Sequence, residues 1–443
     1  MSDRVVFQEK LSYVGVNKKF QFPSLFDMGF LTANALTWTV KGDRQVLSLD
    51  DVVGVSLGEK DGIPCLIVNA YPLTSISKFS AQRQRLLKEY WFTCPNSEVR
   101  SQWQQAIHNT LQGYPVDAQI VPRRLKILLN PNSGKQQASE IYQEIRPLLE
   151  RSYLEFSLVE TFSAKDTKDY IANMDLTTTD GLVIIGGDGT VHDVLNALMS
   201  RQDRELAIKI NIGVIPAGTG NGLCKTLLEL SQEPYDPVSA AFLIAKNKQQ
   251  SCDIATVEQN GKLNYSFLSL AWGFISDVDI ESEKLRFLGT LRIDIYALML
   301  ILLLRSYRGR FSFIPHPDWK PLNCGAIAKQ GKWHVIEDDF VLFWAMNTSW
   351  AAHDLNTAPH AKLDDGAMDV LIVRRGASRR QLLKAFLSCS QGKHISLPYV
   401  EYYQVMSFKL EPLTDKGILV VDGEPVDYAP IQMNIMPQLA KVS

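Results

Sequence analysis

The chain has 443 residues, which at ~150 residues per domain points to about three domains rather than one giant core. Hydrophobic residues make up 46% and charged residues 21%, ordinary globular proportions that exclude a fibrous or disordered protein. The 46 Lys and Arg against 48 Asp and Glu leave a formal charge of −2, so no global positive field gathers nucleic acid, and an anionic partner must be held locally.

The N-terminal stretch MSDRVVFQEK lacks an apolar segment after its charges, so no secretory signal is read there and the expected compartment is the cytosol. From residue 1 to about 120 the text alternates short strands and turns: Leu36 to Val40, Gln45 to Leu49, Val52 to Leu57, Cys65 to Ala70 and Tyr90 to Cys94. A helix follows from about Glu98 to Leu111, with Trp103, Ile107 and Leu111 at four-residue spacing on one face. A strand-rich sheet closed by one Trp-bearing helix resembles a pleckstrin-homology domain. Within it Lys78, Arg83, Arg85 and Lys88 form a basic stretch that is either a solvated loop and strand or a site for anionic lipid headgroups.

From Arg123 the period changes. Leu125 to Leu129, Leu182 to Ile185 and Ile212 to Ile215 are near-continuous apolar runs, the mark of strands buried on both faces. Helical stretches near Ser139 to Arg151, Asp166 to Met174, Val191 to Met199 and Leu223 to Leu230 alternate with them, which predicts an α/β domain over residues 121–250 with a mostly parallel sheet. From 251 to 443 the chain is again strand-rich and reads as an antiparallel β-sandwich domain, with helices over about Glu281 to Arg305 and Arg379 to Ser388. The longest apolar run, Ile295 to Leu304, is shorter than the ~17–25 residues that cross a bilayer. The six cysteines form no CxxC pair, so zinc and redox motifs are not indicated and buried free thiols are expected.

Three glycine-rich segments, NPNSGK from Asn130, GGDGT from Gly186 and GTGNG from Gly218, each follow a strand and precede a helix. Such loops lie at the carboxyl ends of parallel strands, where backbone N–H groups and helix N-termini attract phosphate, and glycine lets the phosphate oxygens reach those donors. Neither the Walker A nor the GxGxxG spacing occurs in these loops. Asp188 is the acidic residue inside this anion-friendly rim, and either it takes a proton from an attacking hydroxyl or contacts a metal, or it caps the following helix as an Asx-type turn.

NPNSGK, GGDGTVHDVLNALM and IPAGTGNG together resemble the catalytic domain shared by diacylglycerol, ceramide and sphingosine (long-chain base) kinases. The stretch Ser269 to Lys284 and the segment Val421-Asp422-Gly423-Glu424 look like those of sphingosine kinases. The resemblance implies a lipid kinase that uses ATP and Mg²⁺ and phosphorylates the primary hydroxyl of a sphingoid base. It implies Asp188 as general base, and nucleotide-site positions at Asn130, Pro131, Asn132, Thr161, Gly186, Gly187, Asp193, Gly218, Thr219, Gly220, Arg286, Arg292, Asp422 and Gly423. It further implies Asp279 as the partner of the substrate amine, with Ser269 nearby. Asp193 and Asp166 depart from the residues common in relatives, Glu and His respectively.

A buried Asp279 would form a charge-assisted bond to an ammonium worth ~1.5–3 kcal/mol, and would be left unpaired by ceramide or diacylglycerol. The alkyl tail requires an apolar tunnel, expected from Phe274, Ile275, Val278 and the stretch Phe287 to Leu302. Apolar residues at its mouth would bring the protein to the membrane peripherally. Metal ligands are not assigned, with Asp188 and Asp422 the nearest suggestions, and the acidic turn at Asp364-Asp365-Gly366 is read as a simple turn rather than a second ion site. The competing readings are a ceramide or diacylglycerol kinase, a soluble-metabolite kinase with a GGDG loop, and a lipid-binding protein without activity.

Overall fold

The computed structural model describes residues 4–14, 26–75, 83–131, 137–282, 284, 291–325 and 327–443. The N-terminal part is a seven-stranded sheet of antiparallel neighbours. Its closing helix, Ser97–Leu111, is capped by the Asn96 side chain, which accepts from Val99 N. As the four-residue spacing requires, Trp103 and Ile107 are fully buried against the sheet, and Trp103 meets Phe7 edge-on at 4.8 Å.

In the basic stretch of this region Arg85 fits neither of the two readings considered above. Lys78 lies outside the described residues, and Arg85 is buried: its guanidinium bonds Asp51, the Tyr71 carbonyl and Glu233, and lies 3.6 Å from the centroid of the Phe242 ring. Glu233 and Phe242 belong to the α/β part, so Arg85 is a docking residue and is not available to headgroups. Around it, Lys246 Nζ donates to the carbonyls of Leu49 and Val52. The His108 ring accepts from Val55 N and stacks on Tyr153 at 4.3 Å. A Cβ on Gly54 would sit 2.3 Å from the Arg151 carbonyl, so backbone meets backbone across this contact and glycine is required.

The apolar runs of the α/β part form parallel strands in the order Leu154–Glu160, Arg123–Leu129, Gly181–Gly186, Asn211–Pro216. Both faces are covered by helices, among them Ala138–Arg151, Asp188–Met199 and Pro237–Ala245, around one core. The sheet does not stop at its last parallel strand. Ile431–Val442 pairs antiparallel with Glu401–Pro412 and Gln250–Gln259 and, at its last two residues, parallel to Asn211 and Ile212. One fifteen-stranded sheet therefore passes from the parallel to the antiparallel half.

The antiparallel half carries a core on each face: an aromatic one built on Phe311, Phe343, Tyr403 and Phe408, and one built on Phe274, Trp344, Leu371 and Leu382 under helices. The helix expected over about Glu281 to Arg305 is instead found as Phe274–Glu281 and Leu291–Leu303. Gly273, at φ 79°, starts the first of these where a Cβ would meet the Val341 carbonyl at 2.7 Å. The described cysteines are all free thiols, five buried and Cys324 partly so.

Candidate active site

Parallel register places the strand ends level with one another. Leu129 pairs with Glu160 and Ile185, and Gly186 with Pro216, so Asn130, Pro131, Thr161, Gly187 and Ala217 leave the sheet along one edge. The second and third glycine loops touch there. A Cβ on Gly218 would lie 2.5 Å from Gly187 Cα, and one on Gly220 would lie 3.3 Å from Asp188 Oδ2. Close approach of two backbones, rather than positive φ, is why Gly218 is glycine, while Gly220 faces the Asp188 carboxylate.

Asp188 opens the helix Asp188–Met199 and is 7% exposed. Its Oδ2 accepts from Gly222 N at 2.8 Å and its Oδ1 from Leu223 N at 3.4 Å, so it caps the neighbouring helix Gly222–Leu230 rather than its own. Burial pushes its carboxyl up to about 6; the two N–H donors oppose this, and the charge of Asp422 adds to it. A carboxylate in that range works as a general base near neutrality.

Asp422 and Gly423 form the two-residue turn between Leu419–Val421 and Glu424–Val426, with φ 51° and 87°, the left-handed pair that an Asp-Gly hairpin turn adopts. The Asp422 carboxylate is fully committed inside the protein. Its Oδ1 accepts from Ser266 Oγ, Leu268 N and Ser269 N, and its Oδ2 from Phe267 N and His192 Nδ1. The hairpin, the segment 266–269 and the helix after GGDGT are thus fastened at one carboxylate, and Asp422 has no lone pair left for a metal. Burial opposes charge on His192, but its bond to Asp422 together with the negative charges of Asp422, Asp193 and Glu424 outweighs this and raises its pKa. Among the described residues no three His, Cys, Asp or Glu side chains form a metal-binding group.

Against this edge lies a cavity of about 480 Å³. Gly187, Asp188, Gly218, Thr219, Gly220, Ser269, Asp279, Arg292, Asp422 and Gly423 line it, and so do Phe274, Ile275 and Val278. Gly186, Asn130, Pro131 and Thr161 sit on the same strand edge without lining it. The Thr161 hydroxyl is buried and finds no partner among the described residues. Asp193 is turned toward the preceding helix, Ala164–Asn173, with Oδ1 3.4 Å from Lys168 Nζ. Asn132 and Arg286 lie outside the described residues.

Two expectations need correction. Asp279 lines the cavity but is exposed, because the short helix Phe274–Glu281 turns Asp277 inward instead, onto Tyr307 Oη at 2.5 Å and Arg305. The desolvation argument against neutral lipids therefore does not apply to Asp279. The predicted tunnel residues Ile295, Leu298, Met299 and Leu302 do not line the cavity; they are 41–61% exposed, since Tyr296, Ala297, Leu300 and Ile301 take the buried face of that helix. Phe287 and Leu288 lie outside the described residues.

The actual apolar wall includes Leu342, Trp344, Leu371, Val373, Leu382, Ala385, Phe386 and Val400. Sequence reading missed these because they come from strands and a helix that carry no motif and differ from ordinary core only by where the sheet curls. Glu424 was missed as well. It lines the cavity, its Oε1 3.2 Å from where a Cβ on Gly189 would stand, and its place directly after Asp422-Gly423 was the available signal.

Residues 124–257 match the diacylglycerol kinase catalytic domain, and residues 318–443 match the YegS C-terminal NAD kinase beta sandwich-like domain. A crystal structure of a diacylglycerol kinase from Bacillus anthracis superposes with a TM-score of 0.53 at 21% identity, covering 73% of this chain and 98% of that one, a likeness of fold. Sphingosine kinase 2 of Arabidopsis thaliana is 37% identical over 332 residues, 68% of this chain and 69% of that protein. Sphingosine kinase 1 of Homo sapiens is 33% identical over 349 residues, 72% of this chain and 90% of that protein. Similarity of this extent, over a fold that joins the glycine-loop edge to an apolar cavity, shows that the chain belongs to the sphingosine kinase family.

Proposed function

We propose that the chain transfers the γ-phosphoryl group of ATP to the primary hydroxyl of a sphingoid base, giving the base 1-phosphate and ADP. The observation that carries this reading is the position of Asp188, a buried carboxyl pushed up to about 6 where the glycine loops meet a long apolar cavity. Asp188 takes the hydroxyl proton as the oxygen forms its bond to the γ-phosphorus and the bond to the ADP oxygen breaks; the proton then passes to solvent. The Gly187, Gly218 and Gly220 backbones cradle the phosphates, and the orphaned Thr161 hydroxyl and Arg292 contact the nucleotide.

With Asp422 saturated and no three-residue cage among the described residues, Mg²⁺ fits as an ion held chiefly by nucleotide phosphates and water, its usual habit. It supplies charge neutralisation on those phosphates. Asp279, exposed in the cavity lining, attracts the substrate ammonium, and Phe274, Ile275, Val278 and the wall from Leu342 to Val400 take the alkyl chain.

No helix among the described residues is long and apolar enough to cross a membrane. Peripheral association is proposed instead through the outward face of Leu291–Leu303, where Ile295, Leu298, Met299, Leu302 and Leu303 stand exposed. The N-terminal sheet with its closing helix has the layout of a pleckstrin-homology domain, and its docking through Arg85 supports a fixed accessory role over 1–120, beside the nucleotide region 121–250 and the lipid region 251–443.

A transfer assay with radiolabelled ATP across sphingosine, phytosphingosine, ceramide and diacylglycerol tests the substrate. The free amines are expected to be phosphorylated first; a preference for ceramide or diacylglycerol would overturn the reading, a live contrast given the exposure of Asp279.

A further inference from the structure

We propose that Arg85 of the N-terminal sheet is a positioning residue for phosphoryl transfer, acting on Asp188 through the helix Gly222–Leu230. The proposal rests on Asp188 as the base and extends it to a part of the chain remote from the glycine loops.

The two ends of that helix are held by different parts of the protein. At its start the amides of Gly222 and Leu223 donate to the two Asp188 oxygens. Its end closes through Gln232 at φ 57°, with Gln232 N bonded to Glu229 O at 3.0 Å and Glu233 N to Leu228 O at 2.8 Å, the double bond of a Schellman motif. Glu233 is thereby tied to the last turn. Its carboxylate is gripped by Arg85 through Nε at 2.8 Å and a second guanidinium nitrogen, a bidentate pair whose side chains are 9% and 8% exposed. The same guanidinium is fixed by Asp51, the Tyr71 carbonyl and the Phe242 ring.

Nine helical residues span only ~13 Å and bend little without proline or a bulge. The far end has no slack either: a Cβ on Gly222 would lie 2.4 Å from the Trp350 carbonyl. Displacement of the C-terminal turn is therefore passed to the amides that face Asp188.

The charged and titratable groups around Asp188 are Asp422 and Glu424 from the hairpin, Cys224 on the helix itself, Tyr235 beyond it, Arg292 and Asp279 in the cavity lining, and His192 on its own helix. Of the influences on Asp188, the Gly222 and Leu223 amides favour the charged form and ride on the helix that Arg85 holds. Their retreat raises the Asp188 pKa and weakens the alignment of the base.

The test uses the full chain carrying Arg85→Met, Glu233→Gln or both, with activity normalised to folded protein. Expected are a roughly 5- to 50-fold lower kcat, within the roughly 5- to 150-fold range of ordinary couplings between sites, and KM values for ATP and sphingosine close to the parent's. The acidic limb of the pH profile moves upward, the double variant is no worse than either single one, and Arg85→Lys recovers part of the loss. Hydrogen exchange over residues 217–230 is expected to speed up. Unchanged exchange there overturns the coupling, as does a loss explained by unfolding with the acidic limb in place. Asp188→Asn as active as the parent sinks the base assignment alone, and the exchange result then still decides whether Arg85 holds the helix.

Discussion

Asp188 carries two opposed demands. As the cap of Gly222–Leu230 it is favoured ionised, whereas full burial favours it neutral, and burial wins. Because only the carboxylate accepts a proton, kcat/KM is expected to fall about tenfold per pH unit below about 6, measurable as a rate profile between pH 5 and 8. Asp188→Asn keeps the shape and removes the proposed base, so a loss of ~10²–10⁴-fold in turnover is expected with folding retained. Stability should move the other way. A carboxyl whose folded pKa is raised from 3.8 to about 6 destabilises the folded state above about 6, and this penalty vanishes below 3.8, where both states are protonated. The shift bounds it at ~3 kcal/mol. Thermal unfolding of Asp188→Asn is thus expected above the parent's at pH 7.5 and near it at pH 3.5; a lower melting point at pH 7.5 would show that the capping bonds outweigh desolvation.

At the scale of elements, the helix Leu291–Leu303 shows what periodicity leaves open. It is apolar nearly all round, so its sequence does not distinguish the face on the core from a face on lipid. The structure puts Tyr296, Ala297, Leu300 and Ile301 inside and leaves Leu298 and Met299 about half exposed. Replacing Leu298 and Met299 by Gln together removes apolar area worth ~1.5–3 kcal/mol per side chain on full burial. A loss of at least tenfold in vesicle binding is expected, read by co-sedimentation, with turnover of detergent-dispersed substrate largely kept. Equal losses on both substrates would place these residues in the substrate path instead. The glycine loops present the opposite case. Their strand–loop–helix order was legible because each is a local pattern, and the parallel register then brought them to one edge.

Across the whole molecule, the N-terminal sheet is docked on the α/β part by groups that do not tolerate solvent loss without partners: Arg85 with Glu233, Lys246 with two carbonyls, and Val53 and Tyr71, which belong to the core of the α/β part. Removing residues 1–120 would expose that apolar contact and leave Glu233 without Arg85. The shortened chain is expected to melt several degrees lower and to aggregate, as followed by thermal unfolding with light scattering; an unchanged melting point would mean that the contact is dispensable.

Sequence alone determined the succession of strand-rich, α/β and strand-rich regions, the glycine-loop rim and Asp188 as its acidic member, because hydrophobic period and backbone freedom act over a few residues. Only the tertiary structure decided which carboxylates are available. Asp422 is consumed by five internal donors, Asp277 is turned inward while Asp279 stays exposed, and the apolar wall of the cavity is assembled largely from strands and a helix between residues 333 and 400. The two halves are joined by Ile431–Val442, which pairs with Asn211 and Ile212 more than two hundred residues away. Such pairings depend on how the sheet twists and closes, a long-range property that no local pattern in the chain encodes.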